Sequence, residues 1–173
     1  MTDWQTVVGR HAVHMWQTAY RLLSDHDDAA DCVQDAFLAA LEVARKETVE
    51  NWGALLARLV TCRALDQLRR RMRRAAVEEK PPDWAEVASA AAGPVQQAQA
   101  AELADRLCHA LGELPPREAE VFCLRYFNRL SYRAIAGQLG LQRSAVGVLL
   151  HRARRRLEPM VLEEETEVSS HER

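Results

Sequence analysis

Arginines are concentrated in two stretches of this 173-residue chain. The segment from Arg63 to Arg74 contains six arginines and one acid, and the segment from Arg143 to Arg156 contains five arginines and no acid. Guanidinium groups repeated along one face bind the phosphates of a nucleic acid, which gives affinity but little sequence choice. Both segments are therefore predicted to contact nucleic acid, although the formal net charge of the whole chain is only -2.

Acidic residues are concentrated elsewhere. The segment from Asp25 to Asp35 contains five aspartates, and no lysine or arginine occurs between Asp25 and Arg45. A C-terminal segment, Glu158 to Glu172, contains six glutamates. This segregation predicts a basic partner for the acidic helix, with plain solvation of a charged face as the alternative. The C-terminal segment is open to three interpretations, as a disordered, an autoinhibitory or a solubilising tail.

The sequence has no signature of catalysis or of metal binding. It contains no glycine-rich phosphate loop, no His and Cys set with metal-ligand spacing and no convincing pair of nucleophile and base. The four cysteines are widely spaced and lie in apolar helical patterns, which predicts reduced and mostly buried thiols at Cys32, Cys62, Cys108 and Cys123. We expect neither an enzyme nor a protein with a cofactor, a metal ion or a small-molecule substrate.

Membrane insertion is not expected either. No apolar stretch reaches the length that spans a bilayer. The segment from Met1 to Arg10 also lacks a basic region followed by an apolar run, which a secretory signal would need. The sequence therefore predicts a cytoplasmic protein.

The composition predicts an all-α protein made of two small helical domains. Apolar residues make up 48% of the chain and only seven residues are glycine, which suits helices better than sheets. In the first half, apolar residues recur every three or four positions and predict helices over Trp4–Leu23, from about Asp27 onward and over Trp52–Arg74. The second of these helices is predicted to face the core with Ala30, Val33, Phe37, Leu41 and Ala44.

A flexible linker is predicted between the two domains, because the periodic pattern is lost between Ala75 and Ala100. That stretch contains Pro81-Pro82 and Gly93-Pro94 in charged and alanine-rich surroundings, a composition typical of linkers. We therefore divide the chain into a first domain at residues 1–75, a linker at 76–100, a second domain at 101–162 and an acidic tail at 163–173.

The second domain ends in the pattern of a helix-turn-helix. Pro116 is predicted to start the helix before it. Ser131 is a suitable N-cap for a short helix over Tyr132–Leu139, and Gly140 can take the left-handed conformation of the turn that follows. An ordinary helical hairpin is the alternative. A compact three-helix core is predicted from Ile135, Leu139, Leu141, Val146 and Leu150.

The second helix of a helix-turn-helix enters the major groove of DNA by its N-terminal end. Gln142, Arg143 and Ser144 should therefore face base edges or phosphates. Arginines further along the helix, at Arg152 and Arg154–Arg156, are better placed for backbone phosphates or for an acidic protein. The sequence thus predicts a protein that binds double-stranded DNA through this helix.

Six segments, three in each half, follow the pattern of a known family. In the first half they are Asp28–Phe37, Trp52–Val60 and Ala64–Arg70, and in the second half they are Leu114–Phe122, Leu130–Ala136 and His151–Arg154. Together and in this order they resemble a bacterial RNA polymerase sigma factor of the extracytoplasmic-function (ECF) type. That group keeps only sigma regions two and four, joined by a linker, and the resemblance covers nearly the whole chain.

The resemblance implies a factor that binds the clamp helices and flap of core RNA polymerase and directs promoter-specific transcription initiation. Polymerase binding is implied for Asp28, Asp31, Gln34, Asp35 and Phe37. Contact with minus-10 DNA and its melted strand is implied for Trp52, Arg58, Arg63, Asp66, Arg69, Arg70 and Arg73, with a place in the core as the alternative for Trp52. Contact with the double-stranded minus-35 element is implied for Gln142, Arg143, Ser144, His151, Arg152 and Arg155. The resemblance also implies an anti-sigma factor as a partner and a position on the nucleoid while polymerase is bound.

One residue and one segment depart from the pattern of this family. Cys62 stands where the family usually has an asparagine, four residues before the aspartate, and a thiol cannot present an amide to a base. The recognition helix reads Ala145-Val-Gly-Val-Leu-Leu150 where the family usually reads Thr-Val-Lys-Ser-Arg-Leu. The alternative function is therefore a sigma-like regulatory or interaction protein that binds polymerase or a partner without independent promoter recognition.

Overall fold

The computed structural model describes residues 2–78 and 94–162, and every regular element in these two ranges is an α-helix. The predicted all-α fold class is confirmed. The acidic tail at 163–173 and the middle of the predicted linker lie outside the described residues. The helices are α1 (Trp4–Leu23), α2 (His26–Lys46), α3 (Trp52–Glu78), α4 (Pro94–Glu113), α5 (Pro116–Tyr126), α6 (Tyr132–Leu139) and α7 (Arg143–Leu162).

Helix ends follow the local signals in the sequence. The Asp25 carboxylate accepts a hydrogen bond from the Asp28 backbone N–H at 2.8 Å and so caps α2. Ser131 caps α6 in the same way, and Gly140 closes α6 with a φ of 62°. The linker boundaries at 76 and 100 were too wide, because α3 continues to Glu78 and α4 already begins at Pro94. Alanine favours helix, so the alanine-rich flanks of the linker extend both helices.

The buried face of α2 differs from the predicted one. Ala29, Cys32, Ala36 and Ala40 are at most 3% exposed, whereas Ala30 is exposed and the other predicted residues are only partly buried. The small side chains of the buried face allow the α2 backbone to approach α1 and α3 closely. The larger side chains of the predicted stripe, such as Val33 and Phe37, pack at the edge of the same core.

The core of the helix-turn-helix matches the prediction. Ile135, Leu139, Val146 and Leu150 are buried, and Leu141 is partly buried against them. These side chains join α6 and α7 to α5. They fix the orientation of α7, whose opposite side faces solvent.

The two halves of the chain pack directly on each other, which the sequence did not predict. Leu65 and Leu68 of α3 belong to one continuous core with Leu111 and Leu114 of the second half. Another residue of α3, Ala57, packs into the core of the helix-turn-helix. Helix α3 therefore packs against α1 and α2 on one side and against the second half on the other.

Asn128 fixes this junction with polar contacts. Its side chain is 7% exposed. The Thr18 hydroxyl donates to the Asn128 Oδ1 at 3.0 Å, and the Asn128 Nδ2 donates to the Thr61 Oγ1 at 3.2 Å and to the Cys123 carbonyl at 3.2 Å. One buried amide thus connects α1, α3 and α5, and these bonds are directional where apolar packing is not.

Two glycines of the helix-turn-helix should respond in opposite ways to alanine. Gly140→Ala should lower the free energy of unfolding by about 1–2 kcal/mol, because an L side chain is strained in the left-handed region. Gly137→Ala should raise it by about 0.5–1 kcal/mol, because an added Cβ meets nothing within 4 Å and alanine favours helix. Urea denaturation followed by circular dichroism measures both. Equal shifts of the same sign would contradict the structure of this turn.

Candidate nucleic-acid interfaces

One face of α7 carries the side chains predicted to contact double-stranded DNA. Its buried side consists of Val146, Leu150, Ala153 and Leu157. The Gln142 carbonyl accepts the first backbone hydrogen bond of the helix, from Val146 N–H at 3.2 Å. The opposite side is open to solvent, with exposed side chains at Gln142, Arg143, Ser144, His151, Arg152 and Arg155.

An apolar residue, Val148, lies in the middle of this exposed face, within the segment where the sequence departs from the family pattern. Its side chain is 49% exposed, and it lies one helical turn from both Ser144 and Arg152. Val148 lies two residues from the buried Val146 and two residues from the buried Leu150, a spacing that places it on the opposite side of the helix. The face is therefore cationic at both ends and apolar at its centre.

Arginines of α3 divide into two groups that the sequence could not separate. Arg69 donates to the Gly112 carbonyl at 3.2 Å and to the Leu114 carbonyl at 3.3 Å. Arg71 donates to the Leu23 carbonyl at 2.6 Å and forms an ion pair with Asp28. These two guanidinium groups are bound within the chain. The other group is exposed and consists of Arg70, Arg73 and Arg74.

Arg58 and Cys62 meet a carboxylate of the second half. Glu120 is 7% exposed, and its Oε1 lies 3.5 Å from the Arg58 Nε and 3.0 Å from the Cys62 Sγ. The Glu120 Oε2 lies 3.0 Å from the Arg117 Nη1. Burial, followed by the hydrogen bond to Glu120, raises the pKa of the Cys62 thiol to about 12. Cys62 is therefore a neutral hydrogen-bond donor in this arrangement.

The remaining residues predicted for minus-10 DNA differ in their surroundings. The Trp52 ring lies edge-on to the Trp4 ring, with centroids 5.1 Å apart, and is partly buried against the core. This geometry favours the alternative that the sequence left open, a core position. Arg63 is half-buried, and Asp66 is exposed, 3.9 Å from Arg69.

The acidic face of α2 is smaller than the sequence suggested. Asp31, Gln34 and Asp35 are exposed. Asp28 instead pairs with Arg71, and Phe37 is partly buried against the core. Leu38, which the sequence analysis missed, is 56% exposed beside the three polar residues. Leu38 follows Gln34 by four residues, a spacing that places both side chains on the same face of a helix, and this spacing could have identified it.

Metal binding and membrane insertion find no support in the part of the chain that the structure describes. Within residues 2–78 and 94–162, no group of three or more His, Cys, Asp or Glu side chains is arranged to hold a metal ion. No helix in the same ranges is both long enough and apolar enough to cross a bilayer.

Known proteins with similar sequences were found over almost the whole chain. The ECF RNA polymerase sigma factor SigE of Mycolicibacterium smegmatis is 30% identical over 169 residues, which cover 98% of this chain and 65% of that protein. The Probable ECF RNA polymerase sigma factor SigI of Mycobacterium tuberculosis is also 30% identical, over 93% of this chain and 56% of that protein. The chain thus spans less than two thirds of the length of these relatives.

A solved structure shares the fold. It is the sigma factor RpoE in complex with the anti-sigma factor NepR from Bartonella quintana, with 22% identity and a TM-score of 0.61 over 92% of this chain and 97% of that chain. Family models match both halves, with Sigma-70 region 2 at residues 7–74 and Sigma-70, region 4 at residues 104–157. The chain therefore belongs to the sigma-70 family, with region 2 as its first half and region 4 as its second.

Proposed function

We propose that this protein is a sigma factor of the ECF type that binds core RNA polymerase and directs promoter-specific transcription initiation. The observation that carries this proposal is the presence of sigma regions 2 and 4 in one chain. Two relatives of this chain are named as ECF RNA polymerase sigma factors, which supports the ECF type. Its place of action is the cytoplasm, on the nucleoid while polymerase is bound.

Core polymerase binds the acidic face of α2. Asp31, Gln34 and Asp35 are exposed around Leu38, and a face of this composition complements a basic surface with an apolar centre, as we expect of the polymerase clamp helices. Asp28 and Phe37 support this face from below, since they hold α2 against Arg71 and the core. Region 4 contacts the polymerase flap.

The minus-35 element binds the exposed face of α7. Arg143 and Ser144, at the N-terminal end, read base edges, while Arg152 and Arg155 bind phosphates. His151 lies between them on the same exposed surface. The exposed cations of this face support a role in DNA binding.

The minus-10 element binds α3. Arg70 and Arg73 are exposed and suited to phosphates. Arg63 and Asp66 lie on the same helix, and Arg58 and Arg69 complete the surface once DNA replaces Glu120 and the carbonyls of Gly112 and Leu114. Trp52 shapes the start of α3 through its contact with Trp4.

An anti-sigma factor is a further proposed partner, because the solved structure with the same fold is a complex with one.

A second candidate function is a sigma-like protein that binds polymerase without recognising promoters. The apolar segment Gly147–Leu149 in the recognition helix favours it. Run-off transcription with purified core polymerase and a library of upstream sequences separates the two candidates, since only the first initiates at a defined subset.

Charge reversal on α2 tests the polymerase contact. Asp31→Lys with Asp35→Lys should weaken binding to core polymerase at least about tenfold, or about 1.4 kcal/mol, because like charges would then face each other. Fluorescence anisotropy of the labelled protein measures the Kd. Glu102→Lys is a control for a single charge reversal at another site, since it changes an exposed acid of the second half. Equal Kd values for the double variant and the control would refute this docking surface.

Two arginines of α7 should behave differently when replaced. Arg143→Ala should cost about 1–3 kcal/mol of promoter binding and change the preferred upstream sequence, because it removes a base contact. Arg155→Ala should weaken all sequences alike and lower the salt slope by about one, because it removes a phosphate contact. Binding of the holoenzyme to a duplex library at several salt concentrations measures both. An unchanged sequence preference for Arg143→Ala would assign that residue to phosphate instead.

A further inference from the structure

The atypical part of the recognition helix contains four large apolar side chains, and three of them serve the core of the helix-turn-helix. Val146 and Leu150 are buried in that core, and Leu149 is partly buried against it. Val148 alone of the four is exposed, at 49%. The departure from the family pattern therefore places a single apolar side chain on the outer side of α7.

Val148 lies at the centre of the face that we assign to the minus-35 element. Residues four or seven positions apart share one side of a helix. By this spacing Ser144, Arg152 and Arg155 lie on the same side as Val148, and all four are exposed. Val148 is also the sixth residue of α7, within the N-terminal turns that enter the major groove. It therefore lies between the end that reads base edges and the arginines that bind phosphates.

The surroundings of Val148 favour DNA over a protein as its partner. No acidic residue occurs between residues 142 and 157, and Arg143, Arg152 and Arg155 are exposed near the valine. A cationic rim of this kind attracts a polyanion. A protein interface buries about 800 Å² on each partner and has several apolar side chains at its centre, whereas this face offers one. DNA is therefore the partner that fits both features.

Gly147, which precedes Val148, supports a close approach of α7 to its partner. It follows Arg143 by four positions and so lies beside the exposed face. A Cβ added to Gly147 would lie 3.7 Å from a ring carbon of Tyr132, an ordinary contact distance, so the fold does not require glycine there. Glycine is unfavourable within a helix, and it is used where a backbone comes close to a ligand. We therefore expect the α7 backbone at Gly147 to approach the groove closely.

Thymine is the base that presents an apolar group in the major groove, its C5-methyl, because the recognised groups of the other bases there are hydrogen-bond donors and acceptors. We propose that Val148 contacts the C5-methyl group of one thymine in the minus-35 element and so selects an A·T pair in one orientation. An apolar contact of this kind gives sequence choice without the polar side chains that are absent between residues 145 and 150. The inference rests on the proposed function, because that function supplies the binding of α7 to DNA.

The spacing along α7 limits where this thymine lies. Val148 follows Arg143 by five residues, which is about 7.5 Å along the helix axis. Successive base pairs are about 3.4 Å apart along DNA. The thymine should therefore lie within about two base pairs of the base that Arg143 reads.

Uracil substitution tests the methyl contact directly, because uracil keeps the pairing and the O4 acceptor of thymine and lacks only the C5-methyl. The probe is the upstream duplex that the wild-type holoenzyme selects from a random library, with each thymine replaced in turn by uracil. The wild-type holoenzyme should bind one of these duplexes about threefold more weakly, the loss expected for one methyl contact. Fluorescence anisotropy measures the Kd values. A wild-type holoenzyme that binds every uracil duplex as tightly as the thymine duplex would overturn the proposal.

Substitutions of Val148 assign the contact to this side chain. Val148→Ala should bind the thymine and uracil duplexes alike at the sensitive position, whereas Val148→Ile keeps the alkyl group and should keep the difference. Val13→Ala is the matched control, since it shortens an exposed valine of α1 and should leave the wild-type ratio unchanged. The ratio of Kd values isolates the contact, because a loss of folding or of phosphate binding changes both duplexes equally. A wild-type ratio in Val148→Ala would refute the assignment.

5-Methylcytosine provides the opposite test, in which a methyl group is added. A cytosine paired with guanine replaces the sensitive thymine, and the duplex is then prepared with cytosine or with 5-methylcytosine at that position. Wild type should bind the methylated duplex about threefold more tightly, because the methyl group again meets Val148. Val148→Ala should bind the two duplexes alike. Equal binding of both duplexes by wild type would contradict a methyl contact.

A glycine variant tests the close approach. Gly147→Ala should raise the urea midpoint of unfolding, because alanine favours helix, and yet weaken duplex binding at least about fivefold, because the added methyl group holds α7 away from the groove. Gly9→Ala is the matched control, a helical glycine of α1 whose added Cβ meets nothing within 4 Å. It should raise the midpoint and leave duplex binding unchanged. Unchanged duplex binding by Gly147→Ala would overturn the close approach on which the contact depends.

The outcomes separate this inference from the proposed function. A holoenzyme that selects no upstream sequence would overturn both. Selection that persists without any effect of uracil would overturn only the contact between Val148 and thymine. Weaker binding of Val148→Ala to core polymerase, with a wild-type uracil ratio, would assign the valine to a protein contact and so would also overturn the inference.

Discussion

The burial of α3 on two sides is the constraint on which the rest of the structure depends. One side packs against α1 and α2 through residues such as Leu56 and Val60. The other side receives the second half, where Ala57 enters the core of the helix-turn-helix and Thr61 bonds to Asn128. Because one helix belongs to both cores, its surface residues cannot be assigned to a single domain.

Arginine has two roles in this protein, and the distinction is physical. Arg69 and Arg71 satisfy backbone carbonyls and a carboxylate, and so they join helices that would otherwise present unpaired polar groups. Arg70 and Arg73, on the same helix, are exposed and keep their charge available for phosphates. A cluster that looks uniform in sequence thus combines arginines that are bonded within the chain with arginines that are exposed to solvent. The same division separates Asp28, which pairs with Arg71, from the exposed Asp31 and Asp35.

The contact between the halves combines a continuous apolar core with buried polar groups. Glu120 and Asn128 hold α3 with hydrogen bonds and an ion pair, and water can replace such partners. A purely apolar contact of the same size would have no comparable replacement.

Sequence by itself determined the helices, the caps and the segregation of charge. Ser131, Gly140 and Pro116 set helix ends correctly because caps and turns depend on a few neighbouring residues. The core of the helix-turn-helix and the exposed face of α7 followed from helical spacing alone. Only the tertiary structure shows that Arg58 and Cys62 contact Glu120 and that Arg69 bonds to the Gly112 carbonyl. Glu120 lies 58 residues from Cys62 in the chain, so local sequence patterns do not reveal this contact. Periodicity tells which side of a helix is covered, but it does not tell which distant segment covers it, and that choice rests on the packing of whole helices.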